Sequence, residues 1–263
     1  MHLADGVLSS VPVAVSLNLC GALSAVVVSS RSRGLGEKVA WTGTLAAFVL
    51  AVQALNLPLL PGASAHAMGA GLLTLALGPA PAILAMIGVL AVQALLLADG
   101  GISVIGINVL NMAVIPVLTV QMCRRVFGAS RRGSMAAAVV GTTLGSMAGA
   151  ASLTLALVYG AGAPLPLTAS WLIGVQTAAG LVEGTLTALV VHHLYGRAPG
   201  LIAGQQEAAV RMALDAPSGA ESSDTRPLKV AACAIVVVLA LLPLASSHPD
   251  ALELVLDRLR TPR

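Results

Sequence analysis

Charge is what this 263-residue chain has least of. Asp, Glu, Lys and Arg together make 10% of its residues, where soluble domains carry about 25%. With 57% hydrophobic residues and a mean hydropathy of +0.92, a water-facing globular domain is excluded and a multi-spanning membrane protein is implied. Lysine is scarcer still: Lys38 and Lys229 are the two in the chain, and neither follows a glycine. No GxxxxGK[ST] exists, so the chain cannot bind ATP by a P-loop, and any ATP-driven step needs another subunit. No HExxH and no GxSxG occur, which removes zinc-protease and serine-hydrolase readings. Aromatics reach 2%, so interfacial Trp/Tyr belts are weak. The three cysteines, Cys20, Cys123 and Cys233, are far apart with no CxxC; they read as small buried side chains. A basic n-region is missing and Asp5 stands where one would be, which argues against a cleaved signal peptide.

What the chain does have is long apolar runs, at roughly 11–29, 39–57, 66–78, 81–98, 104–123, 135–159, 169–195 and 228–245. These predict an all-α polytopic bundle: a seven-span body plus one C-terminal span. The third run is short and bounded by Pro61-Gly62 and Gly78-Pro79, as expected of a broken helix lining a site. Arg31, Arg33, Lys38, Arg124, Arg125, Arg131, Arg132, Arg197, Arg211, Arg226 and Lys229 fall in alternate loops. The positive-inside rule then sets the N-terminus outside the plasma (inner) membrane, with Arg258, Arg260 and Arg263 of the tail as the exceptions, and parity supports eight crossings with both termini outside. Basic residues distributed this way speak for lipid contact and against nucleic acid. Residues 199–227 are polar and read as a cytoplasmic linker between a body, 1–198, and a C-terminal helix with its tail, 228–263.

The polar residues left in this apolar chain are the functional candidates. His2 directly follows Met1, so the Met1 α-amine, the His2 backbone nitrogen and imidazole Nδ1 can close two fused chelate rings in the plane that Ni²⁺ and Cu²⁺ prefer. His66, in Ser64-Ala65-His66-Ala67-Met68 after a Gly/Pro-rich loop, sits on the same outer side and is the natural fourth nitrogen, with Ser64 in support. Glu183 lies mid-span and must be paired or protonated; it reads as a site residue or a hydrogen-bond hub. Asn108 and Asn111, three apart, share a helix face and could orient a ligand histidine or bond between helices. Asp99 reads as a turn residue. His192 and His193 end the seventh run as favourable helix C-terminal side chains. Gly141, Gly145 and Gly149 form a close-approach stripe, inside the bundle or toward a partner.

Four motifs, in order, carry a family resemblance. MHLADGVLS opens the chain, GASAHAMGA spans 62–70, LGPAPAILAMIGVLAVQALLLADGGISVIGINVLNM spans 77–112 and LVEGTLTALVV spans 181–191. Over 1–195 the chain resembles the CbiM/NikM family, the substrate-binding membrane component of nickel/cobalt energy-coupling-factor (ECF) transporters. Ser246-Ser247-His248-Pro249-Asp250-Ala251-Leu252-Glu253 is similar to the PDGLE-like signature of the small N component, fused behind the M component in some relatives, with Ala251 in place of a glycine. The resemblance implies a metal site of Met1, His2 and His66. It implies Ni²⁺ or Co²⁺ as transported substrate with no organic cofactor, and a transmembrane coupling (T/Q) subunit with ATP-binding subunits as partners. It implies a non-enzymatic capture subunit, with nickel favoured over cobalt. The alternatives are a proton-coupled secondary metal permease with Glu183 as relay, and a non-transporting scaffold.

Overall fold

The computed structural model describes residues 1–30, 39–60, 63–205 and 250–260. The expected linker beyond 205, the apolar run 228–245 and His248 lie outside the described residues. The apolar runs become helices because only a helix satisfies every backbone N–H and C=O within one segment. They are α1 (Val11–Ser29), α2 (Val39–Gln53), α3 (Ala70–Leu77), α4 (Pro79–Leu96), α5 (Ile105–Phe127), α6 (Arg131–Ala161) and α7 (Leu165–Arg197), and a charged, amphipathic helix of the tail, α8 (Ala251–Arg260), joins them. Four of them, α4 to α7, are long and apolar enough to cross a membrane; α1 and α2 are shorter apolar helices.

The outer surface confirms the solvent for which the fold is built. Val15, Leu19 and Leu23 on α1, Leu155 on α6 and Leu181 and Leu189 on α7 are all exposed, a continuous apolar surface that water would not tolerate. Cys20 belongs to that surface, so the expectation of a buried thiol fails there: α1 lies at the edge of the bundle, and its outward face needs only to be apolar.

The third run departs most from its expected form. Just ahead of it, β1 (Leu57–Leu60) pairs antiparallel with β2 (Ala63–Ala65), so the architecture is mostly rather than wholly helical. A non-helical stretch carrying His66 follows, and then α3, whose eight residues are all buried and cover only about 12 Å. Gly69 makes the entry into α3 at φ +80°, and a Cβ there would strike the Val49 methyls; the position requires glycine.

The glycine stripe packs within the chain. A Cβ at Gly141, Gly145 or Gly149 of α6 would press on Val120, Pro116 or the Asn111 carbonyl of α5, and one at Gly180 or Gly184 of α7 would press on α6. The three helices therefore meet nearly backbone to backbone. Each of α5 and α6 contains one wider π-helical turn, Leu110–Val114 and Ala137–Gly141. The first ends two residues before Pro116, which has no N–H for the regular ladder.

Candidate metal site

The first eight residues do not fray; they run into the bundle, with Met1 and Leu3 fully buried. Asn108 on α5 grips the Leu3 peptide from both sides: its Oδ1 accepts from Leu3 N at 2.9 Å and its Nδ2 donates to Leu3 O at 3.0 Å. Gly101 N also donates to Leu3 O, at 2.7 Å. Asp5 accepts from Ser103 N at 2.8 Å and Ile102 N at 3.1 Å. The Ser103 hydroxyl, then its backbone N–H, hold the Asp5 carboxyl below its ordinary pKa. Asn108 thus positions the chain start rather than a histidine ring.

The Asp99-Gly100-Gly101 turn is shaped to that strand. Gly100 has φ +96°, and a Cβ on Gly101 would overlap Asp5 N and the Asp5 carboxylate. We expect Gly101→Ala to unseat residues 1–5 and to weaken Ni²⁺ binding, measured by isothermal titration, by on the order of tenfold to a hundredfold, the range seen when support around a metal site is lost. Unchanged affinity would mean that the turn is not needed to hold the chain start.

At the buried end of the strand the Met1 α-amine lies 3.1 Å from His66 Nε2. His66 Nδ1–H donates to Ala67 O at 3.1 Å, so the neutral ring turns an Nε2 lone pair to the amine. Burial first, then the α-ammonium and His2, push the His66 pKa down to about 3, which keeps the ring unprotonated. Two donors each about 2 Å from one ion and at right angles stand nearly 3 Å apart, close to the separation observed.

His2 stacks on His66 with ring centroids 5.1 Å apart and 17° between planes. Its Nε2 meets Gln93 Oε1 at 3.1 Å, because Gln93 donates its own amide to Gln53 Oε1 at 2.8 Å, and Gln53 donates to Met68 O at 2.6 Å. Nε2 of His2 therefore donates to Gln93, while Nδ1, the atom a chelate needs, faces the Asp99 carboxylate and donates to it until an ion takes that hydrogen's place. Nδ1 lies 3.3 Å from Asp99 Oδ1. That hydrogen bond to His2, the largest influence, holds the Asp99 carboxyl low despite burial. An ion on Nδ1 and the Asp99 contact compete for the same atom.

Glu183 stands beneath the His66 loop. Its two carboxylate oxygens accept from Met68 N at 2.6 Å and Gly69 N at 2.9 Å, so it anchors the loop. Ser64 is fully buried in β2, one residue from the strand end that delivers His66. Asn111 is also fully buried, and its side-chain amide has no hydrogen-bond partner among the described residues. His192 faces Arg131 on the opposite end of α7, nine residues and about 14 Å along the helix from Glu183.

Three groups escaped the sequence reading. Gln53 and Gln93 were hidden as neutral amides in apolar runs. Asp250 comes from the tail: its Oδ2 lies 3.3 Å from the Met1 amine. Its Oδ1 accepts from Glu253 N while its own N–H donates to Glu253 Oε2, both at 2.8 Å. That reciprocal pair is a capping box, and the Asp-x-x-Glu spacing was a legible signal for it. Ala251 accordingly opens α8. Asp250 also bridges to Ser64 through the backbone. Burial raises its carboxyl, but the α-ammonium, the Glu253 N–H and His66 together pull it below its ordinary pKa.

Fold and cluster together define a class: an apolar membrane bundle that seats its own α-amine among histidines, a nitrogen-rich setting suited to a transition metal ion. The chain belongs to the CbiM family, described as the cobalt uptake substrate-specific transmembrane region, whose model matches residues 2–201. It is 35% identical over 218 residues to a putative fused nickel transport protein NikMN of Archaeoglobus fulgidus, covering 80% of this chain and 70% of that one. It is 33% identical over 225 residues to a fused nickel transport protein NikMN of Rhodobacter capsulatus, covering 77% and 64%. A cobalt transport protein CbiM of Kyrpidia tusciae is 30% identical over 211 residues, covering 76% and 85%. Among solved structures, a truncated transition metal transporter superposes with a TM-score of 0.63 at 27% identity, over 74% of this chain and 99% of that one.

Proposed function

We propose that this chain is the substrate-capturing membrane subunit of an ATP-driven ECF importer, taking Ni²⁺ in preference to Co²⁺ from outside the plasma membrane. One observation carries the reading: a buried α-amine facing the free lone pair of His66 Nε2 at 3.1 Å, with the His2 ring stacked alongside. Met1, His2 and His66 hold the ion. Asn108 seats the chain start, Glu183 and Ser64 support the His66 loop, and Asn111 is an unused polar reserve beside them. Four nitrogens in one plane suit Ni²⁺ better than Co²⁺; Cu²⁺ would bind more tightly still, so cellular selection rests partly on availability. The nickel named in the fused relatives leans the same way.

In this reading residues 1–198 form a seven-span body with its N-terminus outside, 199–227 a cytoplasmic linker, and 228–263 an N-type segment with an eighth span. A T/Q coupling subunit and ATP-binding subunits supply the energy. The permease alternative gains nothing from Glu183, whose two oxygens are both engaged by the loop it supports.

The test is nickel uptake by proteoliposomes holding this chain with its coupling and ATP-binding subunits. His66→Ala is expected to lose bound nickel, from about one ion per chain to background, and to lose uptake with it. Uptake that continues at full rate without the ATP-binding subunits would return the permease reading.

A further inference from the structure

The cluster contains one group that the four-nitrogen site does not use, the Asp250 carboxylate. It comes from the C-terminal tail, and its placement is over-determined. The capping box spends Oδ1 on the first turn of α8, the backbone bridge to Ser64 fixes the residue against the strand that leads to His66, and Oδ2 is left facing the Met1 amine at 3.3 Å. With 18% of its side chain exposed, the carboxylate is largely shielded from water, where a hydrogen bond to a charged group counts for more.

The amine has two acceptors: His66 Nε2 and Asp250 Oδ2. An incoming ion replaces the hydrogen on the His66 side, because it must contact both nitrogens at once. The metal-bound amine still has N–H groups, and one of them remains directed at Asp250. We propose that Asp250 is a positioning residue for ion capture: by accepting an N–H from the Met1 amine it sets the rotation of that amine, so that the lone pair points at the space shared with His66 Nε2. The fused tail is thereby part of the metal site without being a ligand. The proposal rests on the reading of Met1, His2 and His66 as the ion's ligands.

Two variants of the full chain separate this role from general damage. Asp250→Ser keeps a good helix N-cap but is too short to reach the amine. Glu253→Ala removes the reciprocal bond of the cap and leaves both Asp250 oxygens in place. Ni²⁺ affinity is measured by competition with a chelator, and the ligand-field absorption of the bound Ni²⁺ is recorded at saturation. The expected result is one ion per chain in all three proteins. Asp250→Ser is expected to bind on the order of tenfold more weakly or worse, as when the support of a metal ligand is removed, with a shifted ligand-field band. Glu253→Ala is expected to retain most of the affinity and the original band.

Equal affinity in Asp250→Ser and the parent chain would overturn the proposal. So would equal losses in both variants, which would assign the effect to loosening of the tail, or weakened binding with an unshifted band, which would mean that the tail only props up the fold. A parent chain that takes up no nickel would instead overturn the ligand assignment itself, and with it this inference.

Discussion

Two residues added ahead of Met1 should cost the protein its nickel. The Met1 amine would become a peptide nitrogen, and the added residues would have to enter a space where Met1 is already 1% exposed. A chelate that begins at an α-amine cannot form one residue further along, because the fused rings need that nitrogen. A loss of affinity on the order of 1,000-fold is expected, about 4 kcal/mol. Purified protein with its native start and the extended form would be compared by elemental analysis after dialysis against trace Ni²⁺. About one ion per chain in the first and background in the second is the predicted outcome. Equal metal in the two would move the site away from the chain start altogether.

The second large effect belongs to Glu183, whose carboxylate accepts from the loop of His66. Glu183→Leu leaves the Met68 and Gly69 N–H groups without acceptors in a buried place. Each such orphan costs about 1–3 kcal/mol, and both lie within three residues of His66. The loop can recover them only by moving, which displaces the His66 ring. We expect Ni²⁺ affinity to fall on the order of a hundredfold, together with a clear drop in thermal stability. Glu183→Gln, which keeps one acceptor oxygen, should fall between the parent and Glu183→Leu on both scales. If Glu183→Leu bound Ni²⁺ normally but no longer supported uptake, the residue would act in transport and not as the anchor of the loop.

Much of this arrangement was legible because the chain spends so few polar residues. His2, His66 and Glu183 stand out in an apolar sequence, and the helices follow from runs whose backbone must satisfy itself. Partner choice was less legible. Asn108 and Asn111 share a face on a regular helix, yet one clamps Leu3 and the other has no partner among the described residues. A wider turn, Leu110–Val114, contains the second and not the first, and nothing local in the sequence marks that turn except the following Pro116. The β1–β2 pairing was hidden because Leu57-Pro58-Leu59-Leu60 and Ala63-Ser64-Ala65 have no alternating pattern. The Gln93–Gln53 relay was hidden for a different reason: an amide in an apolar run announces that it needs a partner but not which one. Asp250 needed the tail to be folded back on the body, a contact spanning 249 positions that no spacing rule reaches.

The backbone-to-backbone packing of α5, α6 and α7 has a mechanical consequence. Helices separated by long side chains can slide as those side chains change rotamer; helices in contact at glycine have little such slack. The three therefore have little room to move independently, and α7, within that block, also carries Glu183, which holds the loop of His66 by two hydrogen bonds. If Met1, His2 and His66 hold the ion as proposed, a shift of the block against the chain start would change the grip on that ion without the helices parting.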